Sequence, residues 1–467
     1  MRKPRRFAGG DIRALRRRSG LGQAAMATRL DLSVSYLSHL ENDDRPVTPK
    51  VAEALARAFP EWTAGSDPDE RRLADVRAAL ADPLFADALL SPDQLHRAVE
   101  QQPALADRFV RLHQAWRRAE ERLHHVDDRI ASGVPGDDRL PWEEVRDWFH
   151  EAGNYVDVLD RAAEALELEL DAQPLPEALI AHVLKSRHGV DILSGTDESG
   201  SMRRFDRARG LLTIGAALPP ETRRFMMAHQ LALLEFRDAI GDVAGQARLR
   251  SAEAHTLLSV GLANYAAGAL LMPYGHFREQ ALAVRHDIDR LCRLFGVSFE
   301  QACHRLSNLQ RPGARGVPFF FCRVDMAGNI TKRHSATRLQ FARFGGACPL
   351  WIVHEAVAIP DRILVQLAEM PDGVRYVSMA KGLVKPSGSF TRSPRRYAVA
   401  LGCEADHARD FIYADALDVA NAGAATPIGV SCRLCPRESC DQRAFPPADR
   451  GIAVDADTRD VVPYRVL

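Results

Sequence analysis

The sequence predicts a multidomain protein, mainly α with α+β: an all-α N-terminal helix-turn-helix, a helical connector, an α+β domain, and a C-terminal α/β domain with a cysteine metal site. Three observations predict it. The 467 residues are too many for one hydrophobic core, at roughly 150 residues per domain. Apolar residues recur at helical spacing up to about Leu175, and beyond it they mix with short β-rich runs. Three of the eight cysteines fall within nine residues near the C-terminus. The expected domains are 1–62, 63–175, 176–311 and 312–467.

Composition is ordinary for a globular chain, 46% hydrophobic and 27% charged with zero net charge. No apolar run reaches the roughly 18 residues that span a bilayer; the longest are Gly210 to Leu218 and Ala266 to Met272. The basic N-terminus lacks the apolar stretch of a secretory signal. The expectation is a cytoplasmic protein without membrane contact, its cysteines reduced unless they bind something. Charge is uneven: Arg2, Lys3, Arg5, Arg6, Arg13, Arg16, Arg17 and Arg18 face only Asp11. Such an arm beside a folded motif suits phosphate contact.

Ile12 and Leu15 give a first helix one apolar face, and Gly20 ends it. A second helix runs from about Gln23 to Leu30, with Ala24, Ala27 and Leu30 at packing spacing. Small alanines permit the close crossing of a helix-turn-helix. Asp31-Leu32 makes the turn and Ser33 is a good N-cap for a third helix. Val34, Leu37 and Leu40 are expected to point inward, leaving Ser35, Tyr36, Ser38 and His39 outside, where a recognition helix meets the major groove. Val51, Leu55 and Ala58 supply a fourth helix.

The stretch resembles the Xre/Cro-type helix-turn-helix, whose pattern is L-T-Q-x-x-L-A followed by S-x-S-Y-L-S-x-L-E-N-x-x-R-P-x-T. Leu21, Gln23, Met26 and Ala27 match the first part, with Gly22 for the usual Thr, and Ser33 to Thr48 match the second closely. The resemblance implies that Gln23 and the Ser35–His39 face touch double-stranded operator DNA. Ser33 at the head of that helix and Arg45, suited to phosphate, join them as candidates.

Pro60 to Asp69 reads as a linker. Leu73 to Val126 is helical in pieces, with breaks or starts at Pro83, Pro92 and Pro103. Ser132 to Pro141 ends that run, and a further helix carries Trp142, Val145, Trp148 and Phe149, then Tyr155, Val158, Leu159 and Ala162. This connector is expected to pair two subunits, because regulators of this kind read two half-sites as a homodimer or a higher homo-oligomer.

From Leu175 the pattern becomes a helix (Leu179 to Arg187), strands (Met202–Phe205 and Leu211–Ile214), then a helix from Pro219 to Leu234. The last resembles the zinc-binding helix of the IrrE/ImmA-type metallopeptidase-like family, a zincin-like fold. A working zincin carries H-E-x-x-H. Here those positions are His229, Gln230, Leu231, Ala232 and Leu233. Gln cannot act as a base near neutral pH, and Leu cannot bind metal. The family's acidic ligand is also absent from Gly261 to Pro273; Glu253 is the nearest upstream carboxylate. The fold is expected to survive while the peptidase chemistry is gone, leaving a concave site for a small effector with His229 in its wall.

Arg285 to Arg305 fits two helices around a Gly296 turn, Val317 to Val324 a strand, and Asp325 to Asn329 a hairpin turn. Beyond it Lys332, Arg333 and Arg338 cluster with His334, Ser335 and Thr337, cations and hydroxyls that suit an anionic ligand such as phosphate. Phe319, Phe320, Phe321 and Trp351 are candidates to line an acyl pocket, or simply core.

The chain from RHDIDRLCRLFGVSFEQACHRLSN to TKRHSATRLQFARFGGACPLW resembles the short-chain fatty acyl-CoA regulators. These join an Xre-type head to a degenerate IrrE/ImmA-like domain and a Cys-bearing C-terminal domain. The resemblance covers nearly the whole chain and is most specific over 273–351 and 430–447. It implies a transcriptional regulator of acetate, propionate or related metabolism genes with an acyl-CoA effector, and no enzyme activity. The rival is a DNA-tethered metalloprotease that cleaves a partner repressor; Gln230 and Leu233 argue against it.

Cys432, Cys435 and Cys440, in SCRLCPRESC, bring three thiolates around one metal ion or cluster. A fourth ligand is needed, with Cys403 the first choice and His407 the second. Zinc and a [4Fe–4S] cluster both fit, the latter slightly favoured. Cys292, Cys303, Cys322 and Cys348 read as packing cysteines.

Overall fold

The computed structural model describes residues 9–42, 44–59, 68–80, 82–85, 90–132, 140–172, 174–195, 201–339, 341, 346–385, 387, 390–391, 393–448 and 450–467. The far end of the basic arm, most of the expected linker, and Gly345 lie outside them. Residues Met1–Val134 and Pro135–Leu467 form two compact units. The boundary falls inside the stretch read as a connector.

The first unit begins with α1 (Gly9–Arg18), α2 (Gln23–Arg29), α3 (Val34–Glu41) and α4 (Pro49–Ala58). Their apolar faces meet in one core of Ile12, Leu15, Met26, Ala27, Leu30, Leu37, Leu40, Val51 and Leu55. Ser33 and Thr48 cap α3 and α4, their hydroxyls accepting from the amides of Tyr36 and Val51. Two inward assignments are corrected. Val34 is 47% exposed, because the first residue of a helix overhangs its core, and Ala24 is exposed while Met26 takes the buried position.

The unit continues with α5 (Pro68–Leu80), α6 (Pro92–Gln101) and α7 (Pro103–Ser132). Each opens on a proline, whose missing N–H would have been unsatisfied in a first turn anyway. Val76, Leu95, Val99 and Ala106 form their core.

In the second unit α8 (Pro141–Glu151) and α9 (Asp157–Leu170) replace the single helix expected from the aromatic spacing. Gly153 and Asn154 break it, both with positive φ (63° and 56°). The Asn154 side chain is anchored elsewhere: its amide donates to the Ser335 carbonyl and its oxygen pairs with His334 Nδ1 at 2.9 Å. Then come α10 (Glu177–His188) and a small sheet of β1 (Asp191–Gly195), β2 (Arg203–Asp206) and β3 (Leu211–Gly215) in the order β1-β3-β2. Helices α11 (Pro220–Glu235), α12 (Arg237–Gln246), α13 (Ala252–Leu271), α14 (Tyr274–Ala283), α15 (Ile288–Phe295) and α16 (Phe299–Ser307) follow. Helix α13 is long and apolar enough to cross a membrane by composition, but Leu258, Leu262, Ala263, Ala266 and Leu270 are buried in the core of this unit. At its centre Arg305 of α16 and Asp160 of α9 form an ion pair, both side chains fully buried.

A larger sheet closes the unit: β4 (Phe320–Asp325), β5 (Ile330–Ser335), then α17 (Val353–Ala358), β6 (Ile363–Glu369), β7 (Arg375–Lys385), β8 (Arg395–Glu404) and β9 (Thr426–Pro427), in the order β5-β4-β8-β7-β6-β9. All neighbours are antiparallel except the short β6–β9 pair. Alternation sorts the side chains onto two faces. Phe321, Val399, Leu401 and Cys403 join the helical core. Phe320, Cys322, Ala398 and Ala400 join a second layer with Trp351 and α17. The architecture is thus α plus mixed α and β, with the helix-turn-helix at the N-terminus.

Candidate functional site

In the first unit, Glu41 at the end of α3 organises the head. Its carboxylate accepts from Arg16 Nε at 2.5 Å and from Gln23 Nε2 at 2.9 Å, and Arg13 donates to its carbonyl at 2.7 Å. Burial pushes the Glu41 carboxyl up, but the Arg16 and Gln23 hydrogen bonds outweigh it and hold it below the usual range. One carboxylate therefore pins α1, α2 and α3 together. The sequence reasoning passed over Glu41, although a single acid between apolar positions and opposite several arginines was its signal. Ser33 and Ser35 are exposed, as is His39, while Tyr36 and Ser38 are half-buried. His39 Nδ1 pairs with Asp44 at 3.1 Å, and the Arg45 guanidinium lies 5.7 Å from the Tyr36 ring centre. Six of the seven candidates thus share α3 or its flanks; Gln23 reaches them through Glu41.

In the second unit the metallopeptidase-like helix is α11. His229 is 6% exposed and its Nδ1 has no hydrogen-bond partner. Burial, then the charge of Arg203, lowers its pKa to about 4. Gln230 Oε1 accepts from Arg203 Nη1 at 2.7 Å, and Leu233 packs against the core. The imidazole is a buried, neutral residue beside a fixed cation.

The expected cationic cluster divides. Lys332 and Arg333 are consecutive on β5 and so point to opposite faces. Arg333 donates to the Phe341 carbonyl, and Arg338 grips Glu404 with Nη2 2.6 Å and Nε 3.1 Å from its oxygens. Lys332 instead joins two cations that the sequence reading passed over. Glu300 of α16 receives Lys332 Nζ at 3.2 Å, Arg323 Nη1 at 3.1 Å and Lys385 Nζ at 3.0 Å. Burial opposes ionisation of Glu300, yet the three cations bring its pKa to about 2. Three positive charges around one negative leave a surplus suited to an anion.

The cysteines rearrange most. Cys432, Cys435 and Cys440 line one cavity with Cys348, Gly429, Arg437 and Arg443. Cys403 is not among them. On β8 it shares a face with Val399 and Leu401 toward the helical core, whereas Cys348 belongs to the layer on the other side of the sheet. His407, in the segment after β8, does not line the cavity either. Cys348 packs in that layer, as expected, and also lines the cavity. Backbone amides of Gly429 and Leu350 reach the Cys348 thiol, and the Ala444 amide reaches Cys432 Sγ at 3.5 Å. A Cβ on Gly429 would stand 2.7 Å from Cys435 Sγ, so only glycine leaves room. Arg443 is 9% exposed and its Nη1 lacks a partner, a buried cation lining the same cavity. Among the described residues, however, no three His, Cys, Asp or Glu side chains converge closely enough to hold a metal ion as they stand. The four thiols share a cavity wall, not yet a coordination sphere.

Known proteins match these units. Residues 308–464 match the family described as short-chain fatty acyl coenzyme A regulator, C-terminal. Residues 185–307 match the IrrE N-terminal-like domain, and residues 8–73 a helix-turn-helix domain. The propionyl-CoA carboxylase regulator of Cereibacter sphaeroides is 46% identical over 463 residues, 99% of either chain. The chain belongs to the short-chain fatty acyl-CoA regulator family. The HTH-type transcriptional regulators PrpR and RamB of Mycobacterium tuberculosis are each 39% identical, over 98% of this chain and 96% and 98% of theirs. A solved Mycobacterium tuberculosis transcriptional regulator superposes with a TM-score of 0.67 at 41% identity, spanning 70% of this chain and 99% of that one. As a short-chain fatty acyl-CoA regulator, the chain is a DNA-binding transcriptional regulator and not an enzyme.

Proposed function

We propose that this protein binds operator DNA as a cytoplasmic homodimer and controls propionate- or acetate-class metabolism genes in response to a short-chain acyl-CoA. The observation that carries the reading is the whole-length identity to a propionyl-CoA carboxylase regulator. It is supported by a head whose outward α3 residues remain available to base edges. Ser33, Ser35, Tyr36, Ser38, His39 and Arg45 are the DNA-facing residues in this reading, with Gln23 acting through Glu41.

The coenzyme's phosphates are assigned to the surplus charge around Glu300, with Lys332, Arg323 and Lys385 as the cations. Arg333, Arg338 and His229 stand further back: the first two are committed within the fold, and the third is buried and neutral.

Cys348, Cys432, Cys435 and Cys440 would hold a thiophilic centre, a [4Fe–4S] cluster in preference to zinc. The fit rests on four soft donors, amide N–H groups aimed at two of the sulfurs, the space left at Gly429, and the unpaired Arg443 nitrogen. Such a centre would staple the C-terminal segment and, if iron–sulfur, supply one-electron chemistry. Arg443 and Arg437 would offset the negative charge of the thiolates.

The test is a fluorescence-anisotropy titration of the protein against its own promoter, with propionyl-CoA, acetyl-CoA or free coenzyme A. Tight binding that one acyl-CoA shifts several-fold beyond free coenzyme A supports both DNA and effector assignments. Tight binding indifferent to every acyl-CoA removes the effector assignment alone.

A further inference from the structure

Glu300 stands at the second position of α16, its side chain only 9% exposed. The three cations that meet it come from separate strands: Arg323 from β4, Lys332 from β5 and Lys385 from the end of β7. The carboxylate is the floor of this cluster and the cations are its rim. The Lys332 side chain is 48% exposed and that of Lys385 41%, so the rim opens to solvent while the floor does not.

The cations are braced and still have donors to give. Arg323 Cζ and Lys385 Nζ lie 4.9 and 5.3 Å from the centre of the Tyr397 ring, which attracts both. An ammonium carries three N–H donors and a guanidinium five. Lys332 gives one to Glu300, and Lys385 gives one to Glu300 and one to the Tyr397 hydroxyl. Arg323 uses Nε on Thr331 Oγ1 and Nη1 on Glu300. Among the described residues that leaves N–H groups over on all three.

Charge selects the ligand. A nitrogen of each cation lies within 3.2 Å of the same carboxylate, which concentrates three positive charges and one negative at a point. Acids on the adjoining elements are engaged elsewhere: Asp325 accepts from the Ala327 and Asn329 amides of its own turn, and Asp289 meets Lys381. Arg395, opposite Lys385 in the sheet register and exposed, adds a further cation to that end of the sheet. A phosphate monoester carries about −1.5 to −2 charges on one phosphorus, with three acceptor oxygens, and so matches the surplus. A diphosphate bridged at both ends spreads its charge over two phosphorus atoms and fits a single point less well.

We infer that Lys332, Lys385 and Arg323 form a subsite for a phosphate monoester, the 3′-phosphate of the coenzyme, and that the coenzyme's diphosphate lies outside it. This rests on the reading of an acyl-CoA as effector, and says which of its phosphates the cluster recognises.

The test is calorimetric titration of the full chain with propionyl-CoA and with its 3′-dephospho form. Removing the 3′-phosphate weakens binding about tenfold or more, the scale of charge-assisted hydrogen bonds lost. Lys332→Gln/Lys385→Gln weakens propionyl-CoA by a similar factor. The two losses do not add, because the substitution and the dephosphorylation remove one and the same contact. Inorganic phosphate competes with propionyl-CoA only in large excess; a free phosphate that binds as tightly as the coenzyme overturns the coenzyme as its source. Equal affinity of the unmodified chain for the two acyl ligands, which needs no variant to fold, overturns the subsite and leaves the effector reading standing. A chain that binds neither acyl ligand overturns both.

Discussion

Arg203 Nη1 donates to Gln230 Oε1 over 2.7 Å, on the turn of α11 where a working zincin carries its glutamate base. A guanidinium is thus fixed next to the one surviving imidazole, His229, and a divalent ion entering there would meet a like charge. Restoring the H-E-x-x-H pattern with Gln230→Glu/Leu233→His should therefore give poor zinc affinity. Removing the cation as well, with Arg203→Ala, should tighten zinc by about tenfold, the scale of one screened repulsion near a protein surface. Equal zinc affinity of the double and triple variants in a competition titration would sink the idea.

Acid should loosen the second unit before it protonates its paired carboxylates. An unfolded imidazole takes up a proton near pH 6.5, whereas buried His229 resists to about 4 and buried His304 to about 3. Between those values the unfolded chain binds more protons, so stability rises with pH across that window and falls as pH drops through it. The loss is on the order of several kcal/mol at 1.36 kcal/mol per unit. Glu300, held at about 2 by its cations, contributes a loss only below the usual carboxylate range. Urea midpoints at pH 7, 6 and 5 should decline steadily; a flat series would contradict the burial of these histidines.

The two cysteine substitutions separate cavity from core. Cys348→Ser should strip most metal from the purified protein, read by elemental analysis and visible absorption. Cys403→Ser should keep its metal and instead lose about 1–3 kcal/mol of stability, because a hydroxyl replaces a thiol in an apolar layer. The reverse pattern would return Cys403 to the centre.

On α3, capping and base contact are different jobs. Ser33→Ala should cost about 1 kcal/mol of stability through the lost Tyr36 amide partner. Ser35→Ala/His39→Ala, both exposed, should leave the melting curve alone and weaken operator binding by about tenfold or more. Unchanged operator affinity in that double variant would move the reading face off α3.

Much of this was legible from local chemistry. Pro83, Pro92 and Pro103 each begin a turn or helix where expected, because proline acts through its own ring and not through tertiary partners. The cap at Ser33 is likewise local. The strands β6, β7 and β8 were not read as individual strands. Tyr376 to Ala380 are buried on both faces, and a strand covered on both sides loses the alternation that marks one. The break at Asn154 was missed because its left-handed backbone is supported by bonds to β5, far away in sequence. That Cys348 shares a cavity with Cys432, Cys435 and Cys440 was not legible for the same reason, since spacing along the chain carries no trace of a contact made by the fold. Cys403, the expected fourth thiol, faces the helical core by parity, since it sits on the odd face of β8.

The clasp at Asn154 ties two distant parts of the second unit together. Its amide group holds both the Ser335 carbonyl and the His334 ring, so the end of β5 and the junction of α8 with α9 are geared together. Helix α8 is the first element after the boundary between the units. The turn between α8 and α9 and the end of β5 are thereby held in one register by hydrogen bonds between residues about 180 positions apart in the chain.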